Sequence, residues 1–74
     1  MPRVSWVDAG NGERVAVIDD PENVGNYKAL LVRPWGNGQW RAEVNGGFRG
    51  WYSTMAEAKS CAISFARAQI AGLI

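Results

Sequence analysis

Apolar and polar positions alternate most cleanly between Gln39 and Lys59. Trp40, Ala42 and Val44 take turns with Arg41 and Glu43, the period of a strand with one buried face. Asn45-Gly46-Gly47 then breaks the pattern, and Phe48 to Tyr52 resumes it. A three-residue loop with glycine in the left-handed position is a common hairpin connection. It pairs Val44 with Phe48, Glu43 with Arg49, Ala42 with Gly50, Arg41 with Trp51 and Trp40 with Tyr52. One face then carries Trp40, Tyr52, Ala42, Gly50, Val44 and Phe48. The other carries Arg41, Trp51, Glu43 and Arg49, with a cross-strand ion pair available between Glu43 and Arg49. A two-residue loop shifts the pairs by one, and a slipped register turns a strand inside out. The pattern therefore predicts the three-residue loop.

A helix follows at once. Thr54-Met55-Ala56-Glu57 fits a capping box, with Thr54 as N-cap and Glu57 reaching back. The spacing predicts a helix running to about Ala71, with Gly72 as its stop. At 100° per residue, Ala58, Cys61, Ala62, Phe65 and Gln69 form the stripe expected to face a sheet. The apolar arc continues to one side through Ile63, Ala66, Ile70 and Leu73, interrupted only by Lys59. One helix on one sheet buries a narrower band, so this flank is expected either to pair two copies through their C-terminal helices or to be covered. The N-terminal hairpin and Leu73-Ile74 are the candidate covers.

Upstream, Arg3 to Val7 alternates weakly and Arg14 to Ile18 is a β-branched run, the two arms of a hairpin across the turn residues 8–12. Asp19-Asp20-Pro21-Glu22-Asn23 reads as a loop. Tyr27 to Arg33 reads as a strand whose Ala29-Leu30-Leu31-Val32 centre is apolar on both sides, as in a central strand covered on both faces. Pro34 is awkward inside a ladder. That favours a five-residue connection with Trp35 at its tip over a type I′ turn at Asn37-Gly38 with Trp35 opposite Trp40. The expected fold is α+β, an antiparallel four- to five-stranded β-meander followed by one C-terminal α-helix packed on one face, with residues 1–74 as a single domain.

Totals alter this picture little. Seventy-four residues allow one small core, and four Trp, two Tyr and two Phe enlarge the area it can bury. The net charge of +1 implies no global electrostatic partner, although the acids concentrate before Asn26 and the bases after it. A single Cys excludes an internal disulfide and fits a reducing, cytoplasmic compartment. No apolar run is long enough for a membrane span.

The chain has no His, which removes the commonest general base and metal ligand. Cys61 falls on the apolar helix stripe and reads as a packing residue. Asp19, Asp20 and Glu22 match no calcium-loop spacing and read as a solvated acidic loop. The glycine-rich pieces read as turns, since none joins a strand to a helix at the spacing of a phosphate cradle. The expectation is a non-enzyme with no cofactor and no metal. What remains is surface: Arg33, Trp35, Arg41, Arg49 and Trp51 are residue types enriched at binding hot spots and form the candidate partner-binding set. The alternative is that Trp51 packs under the N-terminal hairpin in a second small core.

W-x-A-x-V, a glycine turn, an aromatic strand and S-T-x-x-E-A-K-x-x-A opening a helix, over roughly residues 39–66, resemble two groups of proteins. One is the sheet-plus-helix, arm-type DNA-binding domains at the N-termini of tyrosine integrases. The other is the short proteins of phages and prophages, some of which inhibit host defence complexes, including CRISPR effectors. The first resemblance implies that the sheet face away from the helix enters a DNA groove with Arg41, Arg49 and Trp51. The chain departs from it in its small basic charge, in Glu43 at mid-face and in an acidic N-terminal third. The second implies a non-catalytic module that binds a protein partner, with nucleic-acid binding as the alternative function.

Overall fold

The computed structural model describes residues 4–19 and 27–73. Five strands, β1 (Val7–Gly10), β2 (Glu13–Asp19), β3 (Tyr27–Pro34), β4 (Trp40–Val44) and β5 (Gly47–Tyr52), precede α1 (Met55–Ile70). The strands form one antiparallel sheet in chain order, so β3 is central. This is the expected α+β meander with one helix on one face. The described helix is not long and apolar enough to cross a membrane.

Three turns have the same chemistry. Asn11-Gly12, Asn37-Gly38 and Asn45-Gly46 all hold positive φ at both residues, at 55° and 78°, 52° and 74°, and 51° and 80°. That is the type I′ turn, whose twist matches a right-handed β-ribbon and whose first position favours Asn. The turns correct three expectations. Asp8, Ala9 and Gly10 belong to β1 rather than to a long turn, because two residues suffice to reverse the chain. Trp35 lies at the base of its connection, where its N–H donates to the Gln39 carbonyl at 2.8 Å, and the tip is Asn37-Gly38. Five residues separate Pro34 from Trp40, but Pro34, expected outside the ladder, is the last residue of β3 and pairs with Trp40, and the disfavoured type I′ turn at Asn37-Gly38 forms, with Pro34 rather than Trp35 opposite Trp40.

The third correction concerns the β4–β5 hairpin. Asn45 extends the β3–β4 ladder. Its N–H donates to the Ala29 carbonyl and its Oδ1 accepts from the Ala29 N–H, both at 2.7 Å. The loop thereby tightens to two residues, so Val44 pairs with Gly47 and Glu43 with Phe48. A bulge at Arg49 absorbs the extra residue and restores the expected pairs Ala42–Gly50, Arg41–Trp51 and Trp40–Tyr52. Gly50 carries a φ of +135°, and a Cβ there would lie 3.0 Å from the Tyr52 Oη. Gly50→Ala is therefore expected to cost at least about 1 kcal/mol in chemical denaturation, through backbone strain and this clash together. A neutral result would mean the bulge can relocate.

The core lies between the sheet and α1. Ala16, Ile18, Leu30, Val32, Ala42 and Val44 meet Ala58, Ala62 and Ala66, all buried. The helix rests chiefly on β3 and β4, and its alanine ridge allows close approach. Trp40, Tyr52, Met55, Ile63, Phe65 and Ile70 pack around this centre, half-buried. The helix begins as its sequence predicts: Thr54 Oγ1 accepts from the Glu57 N–H at 3.1 Å, and the Glu57 carboxylate accepts from the Ser53 and Thr54 hydroxyls. It ends in a Schellman motif, with Gly72 donating to the Gln69 carbonyl and Leu73 to that of Ala68.

The buried stripe is centred one step from the expected one, on Ala58, Ala62 and Ala66, with Cys61 and Phe65 on one flank. Ala66, assigned above to a helix-pairing arc, has no exposed surface because it faces the sheet. Ile63 and Ile70 of the same arc are packed against the core, and only Leu73 is largely exposed. Val4 and Trp6 pack on the core too, and the Lys59 ammonium sits 5.4 Å from the Trp6 ring centroid. The segment before β1 thus covers part of the flank left open in the sequence reading. Of the acidic loop, Asp19 closes β2, and residues 20–23 lie outside the described residues, as do Arg3 and Ile74.

Candidate functional site

Strand register sorts the side chains opposite the helix into rows. Because Leu30 and Val32 of β3 point to the core, Ala29, Leu31 and Arg33 point away from it. Cross-strand pairing extends these positions across the sheet. One row holds Glu13, Arg33, Arg41 and Trp51. The next holds Val7, Val15, Leu31, Glu43 and Phe48. Val17 with Ala29, and then Asp19 with Tyr27, complete the face.

This face is largely apolar and, among the described residues, nothing lies over it. Val7 is 61% exposed, Val17 53% and Trp51 48%, while Val15, Trp35 and Phe48 are also exposed. The reading of β3 as covered on both sides is thereby corrected: α1 covers one face only. The surface has relief. Toward β1–β3 it sinks into a depression of about 520 Å³ lined by Val7, Val15, Val17, Ala29, Leu31 and neighbouring atoms. Toward β4–β5 it rises into an aromatic cluster. The Phe48 and Trp51 rings lie 4.7 Å apart at 55°. The Arg41 guanidinium carbon sits 4.5 Å from the Phe48 centroid and 5.0 Å from that of Trp35, so the cation is held between two rings.

Charge on the face is balanced locally. Arg41 Nε donates to Glu43 Oε2 at 3.0 Å, and both side chains are mostly buried. Arg33 reaches Glu13 at 3.1 Å. Of the expected partner-binding residues, Arg33, Trp35, Arg41 and Trp51 are brought together here. Arg49 is not. The bulge turns it toward the helix, where its guanidinium carbon lies 4.1 Å from the Phe65 centroid and its Nε donates to the Phe48 carbonyl. The expected Glu43–Arg49 pair is replaced by Glu43–Arg41. Phe48, placed by the three-residue loop on the helix side, faces outward with Trp51. Sequence reasoning missed Val7, Val15, Val17 and Leu31 as surface residues. The only signal for the last three was that Val15 to Ile18 and Ala29 to Val32 are apolar at both parities, which equally fits a doubly covered strand, and Val7 carried none.

Beneath the helix, Tyr52 Oη donates to the Arg49 carbonyl at 3.2 Å. The hydrogen bond with Cys61, followed by burial and electrostatic repulsion from Cys61, raises the Tyr52 pKa above its ordinary value. Cys61 is half-buried and free. This pair belongs to the packing of β5 on α1.

No protein-family model, curated protein or solved structure matches the chain.

Proposed function

We propose that the protein is a non-catalytic protein-binding module that works through the open face of its sheet. The observation that carries the reading is an exposed, apolar and aromatic sheet face whose cations are already paired. Trp, Tyr and Arg anchors beside aliphatic surface, ringed by polar groups, have the composition of a protein interface. In such a module, inhibition of a larger complex would need no chemistry, only occupation of a surface. The alternative, a sheet face on nucleic acid, finds less support. Phosphate contacts need free Lys or Arg. Among the described residues the face offers Arg33 and Arg41, each held by a carboxylate, while Arg49 points elsewhere.

The immobilised protein is expected to retain a protein at a fixed stoichiometry. Trp51→Ala should weaken that retention at least about tenfold, the loss typical of an interfacial aromatic, with little change in thermal midpoint. Retention unaffected by Trp51→Ala would move the site off this face. Binding instead to DNA or RNA, falling steeply with salt, would overturn the reading.

A further inference from the structure

The open face has a ridge on one side of β3 and a depression on the other, and that asymmetry matches itself under a two-fold rotation. A two-fold axis lying in the plane between two facing sheets, parallel to β3, carries β5 of one copy over β1 of the other. It places β4 over β2 and leaves β3 against β3. The aromatic ridge of each copy then meets the apolar depression of its mate, as an isologous interface requires. By row, Phe48 lies over Val7, Leu31 over Leu31, and Glu13 over Arg41. Glu43 lies over Val15, and its carboxylate keeps the bond from Arg41.

We propose that this face is occupied by a second copy of the chain, forming a helix–sheet–sheet–helix dimer. The proposal rests on the reading of the open face as a protein-binding surface and names its occupant. Charge supports it. The axis sets Arg33 against Arg33 of the mate, but each keeps its own Glu13 and each Arg41 its own Glu43, while Glu13 gains Arg41 of its mate. Geometry supports it as well. Facing sheets pack with strands nearly aligned, which is the orientation this axis produces. The size of the face is modest: strands about 4.8 Å apart and about 3.3 Å per residue make it roughly 24 by 20 Å, about 500 Å² per copy. About 1,000 Å² in total stands at the lower limit of specific interfaces, so the dimer is weak and reversible.

Sedimentation equilibrium from about 1 to 500 µM tests this. The apparent mass should rise from 8.1 kDa toward twice that value. Val7→Glu and Val17→Glu, at exposed positions, should each hold the protein at the monomer mass with unchanged circular dichroism. A sample mixing isotope-labelled and unlabelled wild-type protein should show intermolecular contacts between the Phe48 ring and the Val7 methyls, a readout that stands even where a variant fails to fold. A wild-type monomer throughout overturns the proposal. So does a dimer that lacks the Phe48–Val7 contact, or one that survives both Glu variants and dissociates with Leu73→Glu. A wild-type monomer that still retains another protein through Trp51 overturns the dimer alone and leaves the protein-binding reading standing.

Discussion

Leu30→Ala is expected to destabilise the protein by about 2–5 kcal/mol, the range for truncating a fully buried leucine. Leu30 is 1% exposed and sits on the central strand, paired with Val44 on one side and Ala16 on the other. Among the described residues, only Leu30 and Val32 are large side chains with essentially no exposure, and most of the other buried residues are alanines. Small neighbours on rigid strands and on a capped helix cannot reach into the space left behind. The loss should therefore fall in the upper half of the range. Urea denaturation followed by tryptophan fluorescence measures it. A loss below about 1 kcal/mol would mean that α1 settles onto the sheet and closes the cavity.

The converse substitution, Ala62→Leu, is expected to cost about 1–3 kcal/mol by overpacking. Ala62 is the middle of the ridge Ala58, Ala62 and Ala66, each with no exposed surface. A leucine at the centre must lift α1 from β3 and β4 or take an unfavourable rotamer. Lifting the helix would also loosen Tyr52 and Phe65 at its edge, so the Arg49–Phe65 stack should weaken with it. Denaturation and the Phe65 ring shifts in NMR report the two effects together. A stable Ala62→Leu protein with unchanged Phe65 shifts would show that the helix slides without cost, which close packing of the alanine ridge does not allow.

How much of this was legible depends on how local each cause is. The capping box at Thr54–Glu57 and the stop at Gly72 are set by hydrogen bonds within one helical turn, and the chain pattern alone located both. The meander order and the helix after it follow from alternation and turn residues in the same way. Pro34 limited β3 through its missing N–H, an effect confined to its own residue. The Arg41–Trp51 and Trp40–Tyr52 pairs were also legible, although for an incomplete reason. A two-residue turn with a one-residue bulge and a three-residue turn without one bring the same distal residues together. The choice between them was made by Asn45, whose bonds to Ala29 lie sixteen positions away in sequence. That choice sent Phe48 to the open face and Arg49 to the helix.

Tertiary structure alone decided which apolar surface is covered. Periodicity names the positions that share a face, but the number of neighbours on that face depends on where α1 lies and how far the segment around Trp6 reaches. Ala66 passed from a presumed outer arc to the core because the helix rolled its alanine ridge onto the sheet. Val15, Val17 and Leu31 passed from a presumed interior to an open surface because α1 covers a single face. A strand apolar at both parities carries the same residues whether its second face meets a layer of its own chain or awaits another molecule. Which of these holds is a property of the packed elements and of no local sequence.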